Sequence, residues 1–495
     1  MGSIWSETVT LPSRSALEGE HSTEVAVVGG GMAGVLTAWF LRQRGAKVLL
    51  LEAERLAGGQ TRNTTAKITA QHGMIYERLS EQKGELAARQ YASANQRAVE
   101  AYRRLVRERK IPCEWEDCPA FLYSTQEEDP VRQEAHTAAR LGLECSFTLE
   151  TELPFPVKGA ARLEGQARFH PLRFLGALAE ELEVFEHSRV IAAEGGALRT
   201  ERGRVKAEQV VFTTHYPFIN VPGLYFLRMH QERSYVLALR GAARLKGMYY
   251  GTDPDGVSLR PCGDLLLLGG GKHRTGENSA GGRYRGLEEQ AERLFPGASQ
   301  AAHWSAQDCI SIDGVPYIGP YASAAPNWYV ATGFGKWGMT GSMVSALLLS
   351  GLLTGERDPD GAVFDPGRMD LRASAANLWE DGKQAVKGLC RSAFEPPRAA
   401  VEALTPGHGG IVEVEGEKLG VYKTEDGEVF TVSARCPHLG CQVEWNPDEK
   451  TWDCPCHGSR FDCLGRLISG PAQTDLDSSL RTGRRSLPPS VERSP

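Results

Sequence analysis

Long apolar runs are missing from this 495-residue sequence. The most apolar stretch, Met343 to Leu353, is broken by Ser345 and Ser350 and falls far short of the ~20 residues that cross a bilayer. No transmembrane segment is expected. Met1 to Glu20 is polar and lacks the apolar run of a secretory signal, so a cytoplasmic location is expected. An excess of positive charge is missing too. The 56 Lys and Arg face 62 Asp and Glu, a net charge of −6, which supplies no field for nucleic acid. Internal repeats are absent. What remains is ordinary: 41% hydrophobic, 24% charged and 55 glycines, a globular composition with many tight turns. The length calls for two or three domains.

Eleven cysteines are present, and they are not scattered: Cys436, Cys441, Cys454, Cys456 and Cys463 crowd one short region. The other six are widely spaced, as in a reducing compartment. Cys436-x-His438 is followed, after 15 intervening residues, by Cys454-x-x-His457. Two thiolates can hold one iron of a [2Fe–2S] pair while two imidazoles hold the other. The same donor set also suits zinc, although the spacing is not that of a zinc finger.

The segments Cys436-Pro437-His438-Leu439-Gly440-Cys441 and Cys454-Pro455-Cys456-His457-Gly458-Ser459 resemble the cluster loops of Rieske proteins from the cytochrome bc complexes. The resemblance covers residues 402–480. It implies a Rieske-type [2Fe–2S] cluster on Cys436, His438, Cys454 and His457, and a disulfide between Cys441 and Cys456. Gly470-Pro471-Ala472 is similar to the proline loop that covers the cluster in that family. One departure stands out. High-potential members carry Tyr two residues after the serine matched by Ser459, and this chain has Phe461. Losing a hydroxyl donor to a ligand sulfur lowers the potential, because such bonds favour the reduced, more negative cluster. An intermediate potential is expected.

Near the start, Glu24-Val25-Ala26-Val27-Val28 reads as a buried parallel strand. Gly29-x-Gly31-x-x-Gly34 follows, then a helical pattern to Arg44, a stop at Gly45, and a second strand from Lys47 to Leu51 closed by Glu52. In such a βαβ unit the glycines let the backbone approach a pyrophosphate at the helix N-terminus, and the acid can bond a ribose hydroxyl. NAD and FAD both satisfy this pattern. Gly269-Gly270-Gly271 lacks the third glycine and the helix, and is expected to end a strand.

Three further segments bear on that choice. Gly58-Gly59-Gln60-Thr61-Arg62-Asn63-Thr64-Thr65 resembles the second phosphate and flavin loop of the D-amino-acid oxidase superfamily. Asp313-Gly314-Val315-Pro316-Tyr317-Ile318-Gly319 is similar to its closing motif. Gly333-Phe334-Gly335-Lys336-Trp337-Gly338-Met339-Thr340 is similar to its glycine loop against the flavin pyrimidine ring. These motifs span residues 23–356 in the family's order. The resemblance implies FAD, held by Gly29, Gly31, Gly34, Glu52, Thr61, Thr64, Thr65, Val190, Gly319, Gly333, Gly335, Gly338, Met339 and Thr340. The helix after the glycine loop would aim N–H groups at flavin O2.

The expected fold class is α/β with an added all-β part. A Rossmann-like FAD-binding domain is drawn from 23–100, 165–220 and 321–360, and an antiparallel-sheet substrate domain from 101–164 and 221–320. A linker helix over 361–401, the Rieske domain at 402–480 and a tail at 481–495 complete it. Residues 113–158 give no clear pattern.

Members of the oxidase superfamily remove a hydride from carbon next to an amine or hydroxyl. Those taking amino acids commonly place an Arg in a Trp-x-x-x-Arg segment before the closing motif. Here the segment is Trp304-Ser305-Ala306-Gln307-Asp308. A carboxylate cannot clamp a carboxylate, so a cationic amine or uncharged substrate is favoured over an α-amino acid; the alternative is that Asp308 caps a turn. Lys67, His72, Arg260, Tyr235 and Tyr250 are candidates for the pocket, with Lys67, Asp308 and Arg260 the catalytic candidates. Lys67 either stabilises the reduced flavin or is a solvated surface lysine. His170 and His215 are read as structural. The expected activity is a dehydrogenase that passes hydride from a small amine-like or hydroxy substrate to flavin N5. Single electrons then pass through the cluster to an external one-electron carrier near His438 and His457. The alternatives are reversed flow, with the cluster feeding the flavin, and a redox sensor without turnover. A Rieske oxygenase would need a mononuclear iron on two His and a carboxylate, and no closely spaced group of that kind occurs.

Overall fold

Four consecutive apolar residues, Val25 to Val28, are buried, and strand Gly19–Val28 accordingly lies between parallel neighbours. The computed structural model describes residues 2–368, 401–414 and 417–478. Pro359–Phe364 is a 3-10 turn; the remainder of the expected linker helix, from 369 to 400, and the tail at 481–495 lie outside the described residues. Among those residues no helix is long and apolar enough to cross a membrane. The chain divides into two units, Met1–Arg274 with Gly282–Asp381, and Thr275–Gly281 with Gly382–Pro495.

The first unit holds two sheets. One has parallel strands in the order Ala325–Thr332, Gly203–Phe212, Gly19–Val28, Val48–Leu51, Glu183–Phe185, with Tyr317–Ala322 antiparallel at its edge. Helix Met32–Gln43 starts directly after the first strand's glycine turn and packs against helix Gly338–Leu353. The second sheet runs Ser299–Ser311, Met229–Arg240, Leu265–Arg274, Ser258–Cys262, Met248–Gly251, Glu116–Ser124, Gly159–Arg168, Lys67–Ile68. It is antiparallel except where Met248–Gly251 meets Glu116–Ser124. The glycine triplet 269–271 sits inside strand Leu265–Arg274 rather than at its end, beside a bulge between Arg233 and Tyr235. A bulge there needs the positive φ of 64° that Gly271 adopts.

Residues 113–158, unreadable from pattern, form strand Glu116–Ser124, helix Asp129–Arg140 and strand Cys145–Thr148. The polar N-terminus also hides an element: Ile4–Thr8 is a helix capped by Ser3, and Ile4 and Trp5 are buried.

The second unit is all-β. One sheet comprises Gly409–Val414, Glu417–Lys423 and Val429–Ser433; the other comprises Glu444–Asn446, Thr451–Asp453, Arg460–Asp462 and Leu467–Ser469. Trp445, Trp452 and Phe461 fill its core with Cys436, Cys441, Cys454 and Cys456.

Candidate functional site

The glycine turn closes too tightly for side chains. A Cβ on Gly34 would stand 1.9 Å from the Gly29 carbonyl oxygen, and one on Gly29 would stand 2.6 Å from Thr213 O. One on Gly31 would stand 3.3 Å from Thr61 Oγ1, the atom that accepts the Met32 N–H at 2.9 Å. Glu52 accepts N–H groups from Gly30 at 2.6 Å and Glu54 at 2.9 Å. Burial pushes its carboxyl above the usual range. No cation lies within ion-pair distance of it among the described residues, so it retains lone pairs for a hydroxyl donor. Val190 is buried with Ala26, Val28, Leu49 and Leu51 beside these strands. A side-chain-free turn at a helix N-terminus, next to an acid that keeps acceptor sites to spare, fits the dinucleotide half of FAD.

The loop carrying Thr61, Thr64 and Thr65 is fastened from distant parts of the chain. Trp5 Nε1 donates to Thr64 O at 2.7 Å, Trp304 Nε1 to Asn63 O at 2.9 Å, and Gln307 N to Gln60 Oε1 at 2.7 Å. Ser3 donates to Arg62 O. Thr340 Oγ1 donates to Thr69 O at 2.8 Å and accepts from Thr69 N at 3.1 Å, tying strand Lys67–Ile68 to the start of helix Gly338–Leu353.

These pieces border a cavity of ≈ 380 Å³ whose walls include Asn63, Thr64, Thr65, Lys67, Asp308 and Met339. Tyr235, Tyr250 and Lys336 also line it. Lys67 is buried, not solvated. Its Nζ donates to Tyr249 O at 2.9 Å and to Ser258 Oγ, and burial, then the Arg260 charge, lowers it to about 7. Asp308 lies on strand Ser299–Ser311, not in a turn. Burial raises it to about 6.

Other candidates sit elsewhere. Arg260 is not among the lining residues: it is buried, donates to Phe169 O at 2.7 Å and stacks 5.0 Å above the Trp5 ring. His72 is held between Tyr91 OH at 2.6 Å and Thr69 O at 2.7 Å and stacks on Trp337. Burial lowers it to about 3, so it stays neutral. His170 caps helix Pro171–Ala179, and half-buried His215 is lowered by desolvation to about 4. Gly319 packs against Pro366, whose Cδ would lie 2.9 Å from an added Cβ. Gly333, Gly335 and Gly338 turn the chain into the helix that Met339 and Thr340 begin, the first two with φ of 73° and 56°. Lys336 is one of several lining residues that the sequence reading did not weigh. Its position inside the glycine loop was the available signal.

In the second unit the two Cys/His segments form matching turns. Gly440 N bonds Cys436 O and Gly458 N bonds Cys454 O, both at 2.9 Å, and both glycines have φ of 79°. A disulfide joins Cys441 to Cys456. Those two sulfurs also lie near Cys454 Sγ, but a disulfide leaves them no ligand role. The Cys436 and Cys454 side chains face each other in hydrogen-bond contact, and the His438 and His457 rings stand edge to face, 4.9 Å apart. Two facing thiols and two adjacent imidazoles on paired turns fit a [2Fe–2S] cluster with mixed ligands. Ser459 contacts the Cys436 thiol, and its Oγ accepts the Ala472 N–H at 3.0 Å, which pins the proline loop.

Residues 24–352 match the family described as DAO, FAD dependent oxidoreductase. The chain belongs to that family. Residues 396–480 match the Rieske [2Fe-2S] domain, so this FAD-dependent oxidoreductase carries FAD and a Rieske-type cluster. A putative Rieske 2Fe-2S iron-sulfur protein, YhfW, of Bacillus subtilis is 37% identical, covering 96% of this chain and 97% of its own. The cytochrome b6-f complex iron-sulfur subunit of Synechococcus elongatus is 39% identical over 74 residues, 14% of this chain and 41% of that protein. Among solved structures, glycine oxidase from Geobacillus kaustophilus superposes with a TM-score of 0.59 at 21% identity, covering 71% of this chain and 100% of its own. L-proline dehydrogenase from P. horikoshii gives 0.59 at 16% identity, covering 70% and 97%. The oxidoreductase thus shares the fold of these two structures, α/β with a C-terminal β domain added.

Proposed function

We propose that this oxidoreductase is a dehydrogenase for a small amine-like or hydroxy compound. The observation that carries this is one chain holding both a cavity walled by the flavin loop and a paired Cys/His site. Bound FAD would supply hydride-accepting chemistry at N5 and a bound [2Fe–2S] cluster one-electron chemistry, a pair that suits delivery to an external one-electron carrier near His438 and His457. The chain's own part is to bind and shelter. Asn63, Thr64 and Thr65 border the place where substrate meets cofactor. Lys67, near neutrality inside the cavity, is able to take or return a proton, and Asp308 supplies a carboxylate. We assign the cofactor and ligand roles named from the sequence to these groups. The flavin-binding part is drawn from 23–100, 165–220 and 321–360, and the substrate part from 101–164 and 221–320. That division is supported by the strands of the two sheets, which fall largely on either side of it. A cytoplasmic location accords with eight unpaired cysteines among the described residues.

The test is an anaerobic titration of purified protein with amines and alcohols, following flavin absorbance and the EPR signal of the cluster. Bleaching of the flavin followed by the appearance of a Rieske-type signal is expected. Flavin bleaching that never reduces the cluster would refute the relay, and reduction only by an external donor to the cluster would favour reversed flow.

A further inference from the structure

Strands Met229–Arg240 and Ser299–Ser311 pair with Glu232 opposite Asp308, Arg233 opposite Gln307, and Ser234 opposite Ala306. Alternation along a strand puts Glu232, Ser234, Ala306 and Asp308 on one face, and Arg233 and Gln307 on the other. Ser234, Ala306 and Asp308 line the cavity. Two carboxylates directly opposite each other repel and weaken the sheet, so their presence calls for a compensating charge.

Of the two, Glu232 has basic groups within ion-pair distance. Lys336, from the glycine loop, reaches Glu232 Oε2 at 3.6 Å, and His230 Nε2 lies 3.8 Å from Glu232 Oε1. Glu232 is held down to about 2, first by His230. Asp308 receives one hydroxyl, Ser234 Oγ at 3.3 Å, and no cation within ion-pair distance among the described residues. A carboxylate offers about four acceptor sites, so Asp308, half-buried on the cavity wall with a single protein hydroxyl as donor, keeps acceptor sites facing the cavity. The glycine loop brings one cation, Lys336, within ion-pair distance of Glu232, and its charge reaches Asp308 only from farther away.

We propose that Asp308 anchors a cation subsite, so that the substrate is an amine presenting an ammonium group to this carboxylate and carrying no carboxylate beside it. This rests on the cavity being the substrate site. An incoming ammonium supplies the donors and charge that Asp308 lacks. An incoming carboxylate placed beside Asp308 would meet a like charge on the cavity wall. Uncharged alcohols would leave the carboxylate as it is.

The test uses flavin-loaded protein and two probes of the same shape and opposite charge, benzylammonium and benzoate, titrated by the perturbation of flavin absorbance. Benzylammonium is expected to bind at least about tenfold more tightly, as a charge-assisted hydrogen bond supplies. The isosteric Asp308→Asn is expected to lose that preference while retaining FAD, and Asp308→Arg to reverse it. Tighter benzoate binding to the wild type, or no perturbation by either probe, overturns the proposal without needing any variant. Undiminished benzylammonium binding by Asp308→Asn overturns it as well. Protein that prefers benzylammonium yet never reduces its cluster would defeat the dehydrogenase reading and leave the subsite standing, so the two failures are separate.

Discussion

Lys67 shows what a single buried side chain can set. Its ammonium loses water and faces the Arg260 charge, with only Tyr249 O and Ser258 Oγ in return. The unfolded chain keeps the Lys67 proton to about pH 10.5, the folded chain only to about 7. Between those values the unfolded state binds more protons, so stability rises with pH. Lys67→Met removes that term. Its Tm relative to wild type is therefore expected to be most favourable at pH 7 and to decline toward pH 10, read by thermal unfolding across that range; a constant difference would contradict the burial account. Phe461 is a second such position. It is fully buried on strand Arg460–Asp462, two residues past Ser459. Phe461→Tyr is expected to raise the cluster potential by about 60 mV, the equivalent of one charge-assisted hydrogen bond of ~1.5 kcal/mol. Redox titration of the two proteins side by side measures it.

At the scale of elements, the short helix Ile4–Thr8 does work that its length conceals. Trp5 bonds the flavin loop, stacks edge to face on His170 at 5.0 Å and carries the Arg260 guanidinium. Trp5→Ala is expected to destabilise the first unit by about 3–5 kcal/mol and to lower the FAD bound per chain, read by denaturant unfolding and by flavin absorbance after gel filtration. The sequence did not announce this, because one buried tryptophan in a polar stretch has no periodicity to betray it. The βαβ unit was legible for the opposite reason: strand, glycine turn and helix are contiguous, and steric demand writes itself into adjacent residues. The Cys/His turns were legible in the same way, each being a single loop with its own glycine. The pairing of Glu232 with Lys336 and the burial of Arg260 depend on strand register and long-range packing, which local pattern does not encode. Residues 113–158 resisted reading because burial there does not alternate: strand Glu116–Ser124 ends on five consecutive buried residues, and strand Cys145–Thr148 has none.

At the scale of the whole molecule, the residues assigned to the two cofactors share no member. Cys436→Ser is expected to remove the iron and the Rieske EPR signal while leaving about one FAD per chain. Such a variant should still bleach its flavin with substrate but reduce an external one-electron acceptor far more slowly. Iron, sulfide and flavin analysis with an acceptor assay reads both halves. Loss of FAD along with the iron would mean that the two sites are not independent.

The fastening of the flavin loop also sets a clock. Its partners lie 59, 241 and 247 positions away along the chain, at Trp5, Trp304 and Gln307. At a synthesis rate of roughly 5–20 residues per second, Gln307 leaves the ribosome roughly 12–50 seconds after Gln60. The loop is made early and waits, unanchored on one side, until strand Ser299–Ser311 arrives. Flavin loading that needs the fully fastened loop is therefore expected only after residue 307 has emerged.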